Sequence, residues 1–410
     1  MLKRSTGPSD KASETRVMVG SFIHNYRWGF QIRGDERGYI EKVKEYRELG
    51  VDFFTLERPP SLQDDMGEKI YTSMKLGNCR FPPESIGQLL VLSLFSLRAA
   101  LRRYPSRPIA VYAYNQDIEN LWIGYLLKIV LGAPLVVVYH QIRAASFTPF
   151  GKGVVDRTRR GFHPARAILK SLLPALNRFA ATHADVQISL SEATLRDVER
   201  YLGIRGCVVI GNGLDTVKFH PSETPKVFDA AFLGRLAPQK GIDVLLHAWS
   251  EVTRDSPGAK LVLVGGGEPE DVTKYREIAK ELRLEGNVTF AGFADDRELV
   301  PLLNSSKLFV FPSRQEGFAQ AVSQAMGCGL CCILSDIPPL REVYGGAAVF
   351  SPVDQPSALA EKIRELLKSE QERELLGERA RRLAEKFSWK DTVKREFALL
   401  PMFADPEHDQ

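Results

Sequence analysis

Short apolar runs alternate with amphipathic stretches along the whole chain. Arg16–Ile23, Val51–Leu56, Ile109–Tyr112, Leu135–Tyr139 and Ala184–Ser189 each have the length and the bounding residues of a strand. Between them, Gly38–Leu49 and Asn120–Leu131 carry apolar side chains at helical spacing. The second half repeats the theme, with strands expected at Ala230–Leu233, Leu261–Val264, Val288–Phe290, Leu308–Phe311 and Cys331–Leu334. Charged helices follow across 357–387, and a last amphipathic helix runs from Trp389 to Leu400. Strands that alternate with longer helices predict βαβ units and parallel sheets, an α/β fold class.

At 410 residues the chain exceeds one ordinary core, so two domains of about 200 residues each are expected. Periodicity breaks near Val209–Lys226, where Gly211, Gly213, Pro221 and Pro225 cluster. The expected organisation is a polar, disordered tail over 1–15, one Rossmann-like doubly wound domain over 16–210, a second over 211–388, and a closing helix over 389–410.

Composition narrows the class without naming a function. Hydrophobic residues make up 44% and charged residues 26%, the balance of a globular protein. The net charge of +4 hides an asymmetry: residues 1–200 hold 29 Lys and Arg against 20 Asp and Glu, and residues 201–410 hold 26 against 31. A basic first half suits acidic acceptors, lipid headgroups or simply an uneven surface, while no motif beyond charge supports nucleic acid. Five cysteines form no paired framework and the amino terminus has no signal-peptide pattern, so a reduced, cytoplasmic protein is expected. Cys328, Cys331 and Cys332 have the spacing of half a metal site but straddle a helix end and a strand, with no complementary pair nearby, so no metal is expected there. No apolar run reaches the ~18 residues of a spanning helix; Ser85–Ala100 comes nearest and ends among arginines.

Leu308–Asp336 holds the densest chemistry. A strand breaks at Pro312-Ser313, Glu316 and Gly317 precede a helical run over Phe318–Met326, and a second strand follows. In a doubly wound sheet, ligands sit at the carboxyl ends of strands, and a helix start with its free N–H groups receives an anion. Gly317 allows close backbone approach. A phosphate site with a carboxylate beside it is the geometric expectation.

The residues of that unit, EGFAQAVSQAM, resemble the signature of GT4-type retaining glycosyltransferases, in which two glutamates are separated by seven residues. Glu316 matches the first, and Gln324 replaces the second. Further blocks resemble the family in order: Val208–Pro221, Ala230–Trp249, Leu261–Glu270 and Asn287–Ser313, together covering most of 208–355. The resemblance implies the GT-B architecture, two Rossmann-like domains facing across a cleft, with the last helix crossing back onto the first domain. It implies transfer of a sugar from a nucleotide-diphosphate-sugar donor to a hydroxyl acceptor, with retention and without a metal or other cofactor.

Site roles follow from the same resemblance. Arg235 and Lys240 would grip the diphosphate, as a planar fork and a point charge suit two phosphates. Glu316 would hold the donor sugar, Gln324 the ribose, and His140, at the end of the strand Leu135–Tyr139, would face the reaction centre as a possible acid or base. Gly317, Phe318 and Ala319 would offer N–H groups to phosphate, with Gly265, Gly266 and Phe293 completing the donor site.

Read from the residues alone, blander alternatives stand beside these roles. Arg235 and Lys240 equally suit a solvated surface loop, Glu316 a helix-start carboxylate, and His140 a structural position. Glutamine at 324 keeps an acceptor oxygen but loses the charge, which also fits a non-catalytic nucleotide-sugar-binding or partner subunit. The loop with Arg27, Trp28, Gly29, Arg33, Gly34, Arg37 and Gly38 suits an acceptor or a plain surface loop. Gly151–Arg178, basic with an apolar stripe, suits either an ordinary domain helix or a peripheral membrane contact.

Overall fold

A computed structural model describes residues 16–20, 34–55, 93–94, 97–98, 108–142 and 174–400. The expected tail over 1–15, residues 21–33 of the expected loop and all but the last residues of the Gly151–Arg178 stretch lie outside the described residues, as does most of Ser85–Ala100. Gly34, Arg37 and Gly38, expected in that loop, lie instead in a helix that begins at Gly34.

Among the described residues two six-stranded sheets form, both wholly parallel. The first contains β1 (Arg16–Gly20), β2 (Val51–Thr55), β3 (Ala110–Ala113), β4 (Leu135–Tyr139), β5 (Val186–Ser189) and β6 (Val208–Val209), in the order β2-β1-β3-β4-β5-β6. Helices α1 (Gly34–Glu48), α2 (Ile118–Leu131) and α3 (Glu192–Leu202) connect it. β3 and β4 are buried along their whole length, which is why Ala-Val-Tyr-Ala and Leu-Val-Val-Val-Tyr read as continuous apolar runs. Tyr39, Val43 and Tyr46 line one face of α1 at helical spacing and are fully buried.

The second sheet contains β7 (Phe228–Leu233), β8 (Leu261–Val264), β9 (Val288–Gly292), β10 (Ser306–Phe311), β11 (Cys331–Ser335) and β12 (Val349–Ser351), in the order β12-β11-β10-β7-β8-β9. Its helices are α4 (Ile242–Asp255), α5 (Pro269–Glu281), α6 (Asp296–Asn304), α7 (Gln320–Gly327), α8 (Pro338–Tyr344), α9 (Pro356–Lys368) and α10 (Glu370–Ala384). Strand order reverses between β7 and β10, so their carboxyl ends open a crevice at the topological switch point.

β6 and β12 are absent from the sequence reading, because two and three residues leave no periodicity to detect. The expected helix over Phe318–Met326 begins instead at Gln320. Ala319 keeps a non-helical φ/ψ of −91°/86°, and its carbonyl accepts a hydrogen bond from the Tyr344 hydroxyl at 2.9 Å.

The last helix, α11 (Trp389–Phe397), packs on α1 of the first domain, with the Tyr46 and Phe397 rings 6.4 Å apart. Trp389 lies so tightly over the linker that a side chain at Gly213 would collide with its indole. On another part of the interface, Glu342 of α8 accepts the Ala193 N–H at 2.8 Å at the start of α3 and pairs with Arg196.

Candidate functional site

The crevice between β7 and β10 holds two of the expected charged residues, Lys240 and Glu316. After β7 the chain turns through Gly234 and Arg235 into a 3-10 turn, Pro238–Lys240, and Gly241 in the left-handed region (φ 67°) launches α4. A side chain at Gly241 would collide with the Pro312 carbonyl, so the β7 and β10 loops touch backbone to backbone. The Gly265–Gly267 loop after β8 closes from the other side: Leu236 N–H donates to the Gly266 carbonyl at 2.8 Å, and Gly265 leaves no room for a side chain against Gly234. The close approach these glycines serve is thus to a neighbouring loop.

Lys240 and Glu316 meet in this crevice as an ion pair, 19% and 8% exposed at their side chains. The Ser313 hydroxyl lies 2.6 Å from the same carboxylate oxygen of Glu316, and the Lys240 ammonium stands 5.2 Å from the centre of the Phe311 ring. A cation and an anion held this way, with little water around them, form a compact dipole at the sheet edge. An incoming phosphate competes with Glu316 for Lys240, and a hydroxyl-bearing ligand competes with Lys240 for Glu316.

Arg235 is exposed and does not join that pair. It lines a cleft of about 400 Å³ together with Ala237, Pro238, Gln239, Glu268, Asp271 and Gln315. One carboxylate oxygen of Glu268 is buried there with no hydrogen-bond partner among the described residues. Phe293, after β9, is 39% exposed at the same sheet edge. Gln324 lies on α7 and is buried, and among the described residues its side chain makes no hydrogen bond.

Gly317 joins the two domains. A Cβ placed on it would run into the carbonyl oxygen of His140, with Gln141 just behind. The loop after β10 in one domain therefore touches the loop after β4 in the other, and the carboxyl ends of the two sheets face each other. His140 is half-buried and held on three sides. Its N–H donates to Gln116 Oε1 at 2.9 Å, its Nε2 lies 2.8 Å from the Tyr114 carbonyl, and the Tyr114 ring packs edge-on at 4.8 Å. A carbonyl only accepts, so Nε2 carries a proton. Asn177 extends the group by donating to the Gln116 carbonyl at 3.1 Å.

Among the expected site residues, the structure pairs Lys240 with Glu316 and sets the adjacent Gly317 against the His140 backbone. It sets Arg235 on the open side and Phe318 and Ala319 ahead of α7 rather than inside it. Sequence reasoning missed Ser313, Arg314, Tyr114 and Gln116. Ser313 alone had a local signal, its place at the strand break before Glu316. Among the described residues no group of three or more His, Cys, Asp or Glu side chains is arranged to hold a metal ion, and no helix is long and apolar enough to cross a membrane. Cys328, Cys331 and Cys332 are buried and reduced.

Comparison with known proteins bears on both halves. The family model "Glycosyltransferase Family 4" matches residues 32–218, and "Glycosyl transferases group 1" matches residues 216–383. The chain is 25% identical over 407 residues to a D-inositol 3-phosphate glycosyltransferase of Segniliparus rotundus, covering 92% of this chain and 87% of that protein. It is 29% identical over 163 residues to the O-antigen chain mannosyltransferase B of Escherichia coli, covering 40% of this chain and 42% of that protein. It therefore spans less than half the length of that mannosyltransferase. Among solved structures it resembles the sucrose-phosphate synthase of Thermosynechococcus elongatus, with a TM-score of 0.73, 20% identity, and coverage of 94% and 98% of the two chains. It also resembles the Anabaena protein HepE in complex with UDP and glucose, with a TM-score of 0.71, 19% identity, and coverage of 95% and 99%. These likenesses place the two domains in the GT-B fold.

Proposed function

The chain belongs to the GT4-type glycosyltransferases, its two halves matching that family's two models, and from this premise we propose that it transfers a hexose-type sugar from a nucleoside-diphosphate-sugar to a hydroxyl acceptor. Transfer proceeds with retention of anomeric configuration and without a metal. The observation that carries the reading is the Lys240–Glu316 pair at the switch-point crevice, brought against the His140 backbone through Gly317.

In this reading Lys240 moves from Glu316 to the diphosphate, and Arg235 meets the same group from the open side of the cleft. Fixed cations at the departing phosphate act where negative charge develops, the place at which they lower the barrier. Glu316, released from Lys240, accepts hydrogen bonds from the sugar hydroxyls, and Gln324 offers its amide to the ribose. The leaving phosphate and the incoming hydroxyl share one face of the sugar, so the phosphate oxygen itself can take the acceptor's proton. His140 borders that space from the first domain, which holds the acceptor. The protein acts in the cytoplasm, and Gly151–Arg178 gives basic and apolar side chains for contact with a membrane that carries the acceptor.

A donor screen tests the reading. UDP-, GDP- and ADP-sugars are titrated against the protein in EDTA, and release of nucleoside diphosphate is followed. Binding with release in EDTA supports a competent, metal-free site and names the base. Binding without release, even with sugar and lipid acceptors added, favours the second reading that Gln324 motivates, a nucleotide-sugar-binding subunit without turnover. No binding to any donor overturns both.

A further inference from the structure

Arg314 stands two residues before Glu316 and outside every role given so far. Its side chain ties three separate segments to the β10 loop. Nη1 and Nη2 donate to the two carboxylate oxygens of Asp243 at 3.0 and 2.8 Å, a bidentate pair with the first turn of α4. Nη1 also donates to the Pro238 carbonyl, inside the turn that ends at Lys240. Nε donates to Asp354 Oδ1 at 2.6 Å in the loop after β12. The backbone joins in, with the Arg314 N–H donating to the Gln239 carbonyl at 2.8 Å.

Every one of these partners except Asp354 lies within three residues of Lys240. Pro238 and Gln239 precede it, Gly241 follows with its positive φ, and Asp243 lies in the first turn of α4. Burial works against the charge of Asp243, and the hydrogen bonds and charge of Arg314 outweigh it, holding the carboxyl below its usual range. The same bonds push the Arg314 guanidinium upward. Both partners therefore stay charged across any working pH. A half-exposed ion pair adds little to global stability, yet a planar bidentate fork fixes geometry well.

We propose that Arg314 is a positioning residue for the donor diphosphate: by clamping the Pro238–Lys240 turn and the start of α4 to the β10 loop, it sets where the Lys240 ammonium stands relative to Glu316. The inference rests on the glycosyltransferase reading of this crevice. Neither the turn nor the loop holds that register alone, since the turn is one 3-10 turn long and the loop is bound to it chiefly through Arg314 and Ser313.

The test compares Arg314→Gln, Asp243→Asn, their double variant and Arg314→Lys, with Arg364→Gln as a control that removes a different exposed pair, the one with Asp255. Binding of UDP, GDP and ADP is measured by calorimetry, turnover of the donor identified in wild type by kcat and KM, and folding by thermal unfolding. A misplacement of about 1 Å at such a group can lower rate about 10²-fold. Arg314→Gln is therefore expected to lower kcat by about 10- to 100-fold and weaken nucleoside diphosphate binding, with the KM for acceptor unchanged. Asp243→Asn should act alike, and the double variant should be no worse than the worse single, as two ends of one clamp require. Arg314→Lys keeps the charge without the fork and should recover only part of the loss, while Arg364→Gln leaves activity unaltered. Additive losses in the double variant, or an Arg314→Gln protein with wild-type kcat and nucleotide affinity, overturn the inference while leaving the donor site standing. If wild type binds none of the three nucleotides, the reading of the crevice falls and the clamp falls with it. Should Arg314→Gln fail to fold, Arg314→Lys decides by the same kcat and binding criteria.

Discussion

Lys240 and Glu316, 76 residues apart in sequence, neutralise each other across the crevice between β7 and β10. The pair gives the unliganded site a built-in competitor for each half of a nucleoside-diphosphate-sugar. Its consequence can be read in binding. Glu316→Gln frees Lys240 without changing side-chain volume, so nucleoside diphosphate should bind several-fold more tightly, because a charge-assisted partner is released to the phosphate. The same change removes the carboxylate from the sugar hydroxyls, and transfer should fall by about 10²–10³, the usual scale for one lost transition-state contact. Lys240→Met should lose both. Calorimetry with the nucleoside diphosphate and steady-state transfer rates check the two effects separately, and looser binding in Glu316→Gln would remove Glu316 as the competitor.

Gly317 carries one of the interdomain contacts. Its missing side chain is the space taken by the His140 carbonyl and Gln141, so Gly317→Ala has to push the β10 loop and the β4 loop apart. The expected result is a loss of transfer of about 10²-fold, the cost of roughly 1 Å of displacement between the two halves of a site. Each domain's core lies elsewhere and should remain intact. Far-ultraviolet circular dichroism and nucleotide binding should therefore change little while kcat falls.

Much of this arrangement was legible in the sequence, and the part that was not has a physical reason. β4 and β8 read cleanly because strands buried on both faces are continuous apolar runs, and Leu135–Tyr139 and Leu261–Val264 hold to the residue. β6 and β12 escaped because two or three residues carry no period. Arg235, Lys240 and Glu316 were found as types in a family pattern, but their pairing was not. Which cation meets which carboxylate is decided by loops from opposite sides of the switch point. The reach of Arg314 to Asp243 and Asp354, 71 and 40 residues away, leaves no local trace at all. Gly317 was read as a close-approach residue, and only the tertiary structure shows that the approaching group is the His140 backbone.

The cysteines provide a test in alkali. Burial pushes the thiols of Cys328 and Cys331 up to about 12 and that of Cys207 up to about 11. At pH 8 a thiol titrating at about 12 is ionised in about one molecule in 10⁴, against roughly a quarter for a free thiol near 8.5. Iodoacetamide at pH 8 should leave all three unmodified in the native protein and label them quickly in denaturant, as peptide mapping would show. The sign for stability follows from the raised values. The contribution of these thiols is complete below about pH 8.5, where the unfolded chain is also neutral, and is lost progressively as pH climbs toward 12. Native labelling of Cys328 at the denatured rate would contradict the buried environment.

The clasp between α11 and α1 is sensitive to a single charge change. Lys42 and Glu396 form an ion pair that is almost completely buried, at 2% and 1% exposure. Glu396 Oε2 also accepts hydrogen bonds from the Tyr112 hydroxyl at 2.8 Å and the Tyr46 hydroxyl at 3.2 Å, and Lys42 Nζ donates to the Tyr112 oxygen at 3.2 Å. Burial, followed by the negative charge of Glu396, drives both tyrosines well above their ordinary range, so their hydroxyls stay neutral beside the ion pair. Removing only the anion strands the ammonium in the core, which typically costs about 3–5 kcal/mol. Glu396→Ala should therefore lower the thermal midpoint sharply. Lys42→Met together with Glu396→Leu, which removes both charges and restores apolar volume, should regain much of that loss, since a buried pair contributes little net stability over a packed hydrophobic replacement. Because α11 reaches the first domain from the end of the second, Glu396→Ala should also loosen the domains, giving faster proteolysis near residues 386–400 while nucleotide binding in the second domain survives. A double variant as unstable as Glu396→Ala would show that the cluster stabilises the clasp through its charges rather than through the volume it fills.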